Sequence, residues 1–131
     1  MMENSNINKK EILLKDLCSR LPYNTKVHII SKSGTEIDEK LTTSTIQQII
    51  DNDWKVLPYL RPMYSLTEEE IKELGNIDMK RVIFSSRHLT YHLDAEIIDW
   101  FNANHVDYRG LIGLNLAIPT TKEFYKKDDK V

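Results

Sequence analysis

Two prolines four positions apart impose the strongest local constraint on this 131-residue chain, in the stretch Trp54-Lys55-Val56-Leu57-Pro58-Tyr59-Leu60-Arg61-Pro62-Met63. Each proline fixes its own φ, removes a backbone N–H and pushes the residue before it, Leu57 or Arg61, toward an extended conformation. The stretch is expected as an extended strap rather than a helix, and the rest of the fold must pack around it.

On the N-terminal side, Leu13, Leu14, Leu17, Cys18 and Leu21 recur at helical spacing from Lys9 onward, and Pro22 ends the run. Residues 1–8 are polar and read as an arm. Cys18 falls among the apolar positions and is expected as a small buried thiol rather than a nucleophile. Thr25 to Ser31 and Thr35 to Leu41 flank Lys32-Ser33-Gly34 and form the clearest hairpin signal. Between hairpin and strap, Ser44 and Gln47 have capping-box spacing and Ile46, Ile49 and Ile50 repeat at helical intervals, which favours a helix over a strand.

After the strap, Thr67-Glu68-Glu69-Glu70 marks a helix start: a hydroxyl cap, a glutamate three residues on, and carboxylates at the positive end of the helix dipole. Ile71 and Leu74 face inward, and Gly75 is a credible stop. Arg81 to Ser86 reads as a short strand. Asp94 reads as the cap of a helix carrying Ile97, Ile98, Trp100 and Phe101 and ending near His105. Asp107-Tyr108-Arg109-Gly110 reads as a turn leading into a short apolar helix or coil through Leu116. Residues 120–131 read as a charged, frayed tail. The fold class expected is α+β, one small domain over 9–119, with a short antiparallel sheet packed against about four helices.

Eighteen Lys and Arg against 20 Asp and Glu give a net charge of −2, which provides no general attraction for nucleic acid or an anionic membrane. Leu111 to Pro119 is too short to span a bilayer, so no membrane association is expected. The polar N-terminus lacks the apolar stretch of a secretory signal, and the single cysteine suits a reducing compartment.

Common chemical signatures are missing from the sequence: there is no Gly-rich phosphate loop, no GxSxG elbow and no CxxC pair. His88 and His92 stand four apart, but Leu89-Thr90-Tyr91 between them supplies no glutamate, and His28 and Cys18 are remote. No metal, cofactor or catalytic residue is therefore assigned. Glu68 to Glu70, and Asp94, Glu96 and Asp99, are read as helix-start and solvated carboxylates.

Two polar segments resist that reading. Tyr59 and Arg61 sit on the stiffened strap, where binding an anion, a base or a carboxylate would cost little conformational entropy. His105, Asp107, Tyr108 and Arg109 place a second Tyr/Arg pair beside Gly110 at a turn. Both segments also have structural readings, with Arg paired to an internal acid or a helix end and Tyr anchoring the chain.

In order along the chain, Leu17-Cys18-Ser19-Arg20-Leu21-Pro22-Tyr23, Pro58-Tyr59-Leu60-Arg61-Pro62-Met63, Thr67-Glu68-Glu69-Glu70, Asp99-Trp100-Phe101-Asn102 and Asp107-Tyr108-Arg109-Gly110-Leu111-Ile112 resemble a family of small uncharacterised proteins of gut-bacterial phages and prophages. The chain departs from that pattern at Asn104-His105, where the family carries a paired histidine. It departs again at Gly113-Leu114-Asn115, in place of a charged step. The resemblance implies a phage-related accessory protein in a bacterial cytoplasm and transfers no activity. By analogy with such proteins, countering host defence is the class of action to consider, by occupying a host protein or sequestering a nucleotide-like signal.

The function expected is non-enzymatic binding of a host protein or of a small anionic, nucleotide-like ligand. Arg61 and Arg109 would meet phosphate while Tyr59 or Tyr108 stacks on a base. The alternatives are an enzyme with His105 and Asp107 as acid and base, and a nucleic-acid-binding regulator. Two Trp and six Tyr would also suit a homo-oligomer. Whether strap and turn meet in space separates a site from two pieces of scaffold.

Overall fold

The structure is a computed structural model describing residues 2–77, 82–84, 89–91 and 95–129. Helix α1 (Met2–Arg20) takes in residues 2–8, expected as an arm, and gives way to a 3-10 turn at Leu21–Tyr23 carrying Pro22. Its inward stripe is Leu13, Asp16, Leu17 and Arg20, the i, i+3, i+4, i+7 pattern of one helix face. Cys18, one residue past Leu17 and so rotated about 100° around the axis, is exposed. This corrects its expected burial.

The hairpin forms as read, from β1 (Lys26–Ile30) and β2 (Glu36–Lys40), with Ile30 opposite Glu36 and His28 opposite Asp38. Its turn uses Gly34 at φ +89°, a conformation open to glycine at little cost. Helix α2 (Thr43–Asn52) follows, but its cap lies two residues before the expected Ser44. Thr42 Oγ1 accepts from Thr45 N at 3.3 Å, and Thr42 N donates to Thr45 Oγ1 at 3.4 Å. Threonine thus takes the returning role that a glutamine was expected to fill.

The strap is the third strand, β3 (Lys55–Leu60), antiparallel to β1 through Ile29 opposite Val56. Pro58 lies at the last β1–β3 pair, and pairing to β6 (Ile118–Pro119) begins at Tyr59. The residue without an N–H therefore sits at the handover between two partners. Because β6 runs parallel to β3, the four-stranded sheet, in order β2-β1-β3-β6, is mixed rather than antiparallel.

Inward-facing Val27, Ile29, Val56 and Leu60 pack with Leu13 and Leu17 of α1 and Ile46 and Ile49 of α2. A second apolar cluster joins Leu74 of α3 (Glu68–Ile77) to Ile97, Trp100 and Phe101 of α4 (Ala95–Ala103) and to Val106. Helix α3 carries the expected capping box, with Glu70 N donating to Thr67 Oγ1 and Thr67 N donating to Glu70 Oε1. It continues past Gly75. Strands β4 (Val82–Phe84) and β5 (Leu89–Tyr91) form an antiparallel ribbon. His88, His92 and Asp94 lie outside the described residues.

The charged C-terminal stretch is not a frayed tail along its length. Helix α5 (Lys122–Asp129) docks on the sheet end, with Tyr125 only 7% exposed. Two adjacent aromatic rings anchor this short polar helix, Tyr125 by burial and Phe124 by packing 4.9 Å from Tyr59. The result is a small single α+β domain, with no described helix long and apolar enough to cross a membrane.

Candidate functional site

Strap and turn meet. Arg61 forms an isolated parallel bridge with Val106, its N–H donating to His105 O at 2.7 Å and its carbonyl accepting from Asp107 N at 2.8 Å. The corner that makes this possible is a Schellman ending to α4. Val106 N donates to Phe101 O at 2.9 Å, His105 N donates to Asn102 O at 3.2 Å, and His105 takes the left-handed position at φ +59°. Glycine or asparagine is usual there, so a buried histidine is held at a backbone cost of about 1 kcal/mol or more.

The arginine side chain turns to α3. Arg61 Nη2 donates to Glu70 Oε1 at 2.6 Å and Nη1 donates to Glu70 Oε2 at 2.8 Å, with both residues almost fully buried. The guanidinium bond, reinforced by Thr67 N, drops the Glu70 carboxyl to about 2. Arg61 Nε has no acceptor among the described residues.

His105 is stacked on Tyr125, with centroids 3.6 Å apart and planes 10° from parallel, and its Nδ1 lies 3.3 Å from Thr25 Oγ1. Burial, helped by the Arg20 and Arg61 cations, lowers its pKa to about 3, so the ring is neutral at physiological pH. The Tyr125 hydroxyl donates to Tyr59 O at 2.6 Å and accepts from Lys26 N at 3.1 Å, tying α5 to β3 and β1.

A second buried ion pair lies beside this corner. Arg20 Nε donates to Asp16 Oδ2 at 2.7 Å, and Nη2 donates to Asp16 Oδ1 at 3.2 Å and to Val106 O at 2.8 Å. Tyr108 stacks on Phe101 at 5.4 Å, with the Arg20 and Arg109 guanidinium groups 5.2 and 5.0 Å from its ring centre. Arg109 Nη2 donates to the Tyr108 hydroxyl at 3.1 Å, and its Nε lies 3.3 Å from Asp16 Oδ1. Asp107 uses both carboxylate oxygens as a cap, accepting Leu111 N at 2.8 Å and Ile112 N at 2.9 Å.

Tyr59 belongs to a different group, on the outer face of the sheet. Its hydroxyl donates to Asp38 Oδ1 at 2.8 Å and its ring packs 4.9 Å from Phe124. Burial, then the Asp38 bond, pushes its pKa up to about 12. His28 sits between Asp38 and Glu36, 2.7 Å from each, and these bonds raise its pKa.

Of the six candidate residues, Arg61 and His105 line one cleft of about 170 Å³, together with Ala103, Asn104, Lys122, Tyr125 and Lys126. Asp107, Tyr108, Arg109 and Tyr59 are absent from its lining; Asp107 touches it only through its backbone N–H on Arg61 O. Three further lining residues, Lys122, Tyr125 and Lys126, come from the segment expected as a tail. Their i, i+3, i+4 spacing was the available signal. Among the described residues, no group of three or more His, Cys, Asp or Glu is placed to hold a metal. Compared with family models, curated proteins and solved structures, the chain matches none.

Proposed function

We propose that this chain is a non-catalytic binding protein that takes an anionic ligand in the cleft between the strap end, the His105 corner and α5. The observation carrying the reading is the charge of that cleft. Arg61, Lys122 and Lys126 line it, and among the described residues its neighbouring carboxylate is Glu70, hydrogen-bonded to Arg61 and 3.8 Å from Lys122. A local positive field survives in a chain whose net charge is −2. His105 and Asp107 support an acid/base reading poorly, since one is a buried neutral ring and the other has both oxygens engaged by backbone amides.

The resemblance to phage and prophage proteins supports a setting for this binding. The chain is read as an accessory protein in a bacterial cell, with capture of a nucleotide-like signal as the action that an anion site would serve. Thermal unfolding in the presence of small phosphates, sulfates and carboxylates, at constant ionic strength, tests the reading. A ligand at 100 times its Kd adds about 2.7 kcal/mol of stability, and a folded Lys122→Gln/Lys126→Gln variant should lose that gain. Equal stabilisation of both proteins by every anion would sink it.

A further inference from the structure

We propose that the cleft recognises a tetrahedral oxyanion, either inorganic phosphate or the phosphate group of a small phosphorylated molecule, through Arg61 Nε, Lys122 Nζ and Lys126 Nζ. This deepens the anionic-ligand reading and rests on it. Three features of the site converge on the assignment.

The first is the donor left over at Arg61. Glu70 meets the guanidinium end-on, occupying Nη1 and Nη2, so the Nε–H edge is a separate donor that is buried without an acceptor among the described residues. A buried, unsatisfied N–H on a charged group costs free energy until an acceptor reaches it. An oxyanion supplies such an acceptor with a complementary charge.

The second is Lys122. Its Nζ stands 3.8 Å from Glu70 Oε2, beyond hydrogen-bond distance, and its side chain is 38% exposed. That ammonium is near the buried pair without being locked to it, so it can close on a ligand without breaking a hydrogen bond. Lys126, one helical turn on and exposed, adds a second cation on the same helix face.

The third is size and stacking capacity. At about 170 Å³ the cleft is well under the roughly 300–1,000 Å³ of pockets that enclose drug-sized ligands. The ring inside it, Tyr125, is already covered by His105 at 3.6 Å. Tyr59 and Tyr108, the residues expected to stack on a base, are engaged with Phe124 and Phe101 instead. The site therefore grips a phosphate and leaves the remainder of any larger ligand outside.

The test follows the Arg61 Nε–Hε resonance by heteronuclear NMR during titration with inorganic phosphate at constant ionic strength, with adenosine monophosphate and succinate as parallel arms. A saturable shift of that resonance with phosphate is expected, with the Kd weakened tenfold or more in Lys122→Gln/Lys126→Gln, a surface variant that should keep the native spectrum. Tighter binding of adenosine monophosphate than of phosphate would support the proposal and identify a phosphorylated molecule as the source; the reverse order would support it with the free ion. An Arg61 signal unmoved at saturating phosphate, or a Kd unchanged in the variant, overturns it. Lysine-dependent binding of succinate without phosphate would leave the anionic-ligand reading standing and remove the oxyanion assignment. Binding of none of the three would remove both.

Discussion

Arg61 and Glu70 face each other end to end across the junction of β3 and α3, two hydrogen bonds of 2.6 and 2.8 Å joining residues that are 2% and 3% exposed. One pair thereby connects the sheet-side apolar cluster, entered at Leu60, to the helical cluster, entered at Leu74. Removing one partner strands a buried charge, so Arg61→Ala or Glu70→Ala should each cost about 3–5 kcal/mol. Arg61→Ala combined with Glu70→Ala should cost clearly less than the sum of the single changes. Urea unfolding of the four proteins checks this, and additive losses would show that the two residues act independently.

Acid should destabilise the fold in two stages. The His105 pKa is lowered from an ordinary 6.5 to about 3, so below pH 6.5 the unfolded chain takes up a proton that the folded chain refuses. Stability contributed by the neutral ring is complete above 6.5 and falls by about 1.4 kcal/mol per pH unit toward 3. Glu70, lowered from 4.5 to about 2, adds a second loss that begins only below 4.5. Chemical unfolding between pH 6.5 and 4.5 should show the first slope. His105→Asn, which tolerates the left-handed backbone without titrating, should flatten it.

Asp107 should behave as a structural cap. Its two oxygens satisfy the amides of Leu111 and Ile112, so Asp107→Ala leaves both without their acceptor, at about 1–3 kcal/mol for each one that water cannot reach. Hydrogen exchange should accelerate at those two amides first. Retention of slow exchange at both would mean that the turn is held by Leu111 packing alone.

Local chemistry was readable wherever one segment decided its own conformation. Pro58 and Pro62 required extension, Thr67 with Glu70 announced α3, and the Lys32-Ser33-Gly34 turn placed the hairpin. What escaped were choices made between segments. Asp16 and Arg20 have ordinary i, i+4 spacing, but on the apolar face of α1 they are a buried pair reaching Val106; counting only apolar residues put Cys18 on that face instead. Arg61 and Arg109 look alike in sequence, each within two residues of a tyrosine. Only the fold gives one a glutamate and a place in the cleft lining, and the other a place on the Tyr108 ring. The spacing of Lys122, Tyr125 and Lys126 marks one helix face but not the burial of Tyr125, because its partners, His105, Tyr59 and Lys26, come from three distant parts of the chain.

That convergence gives Tyr125 a testable role. Its hydroxyl accepts from Lys26 N and donates to Tyr59 O, so Tyr125→Phe keeps the ring stacked on His105 while removing both bonds. The expected loss is about 1–3 kcal/mol, from two backbone groups that each lose this hydrogen bond. Tyr125→Ala also removes the ring from a position 7% exposed and should cost about 3–5 kcal/mol, releasing α5 from the sheet. Because Lys122 and Lys126 reach the cleft only through that docked helix, anion binding should persist in the Phe variant and disappear in the Ala variant. Unfolding curves combined with anion titrations of the two proteins check both halves. Full binding by a folded Tyr125→Ala protein would mean that α5 is held in place by Phe124 on Tyr59, and that the His105 stack is incidental to the site.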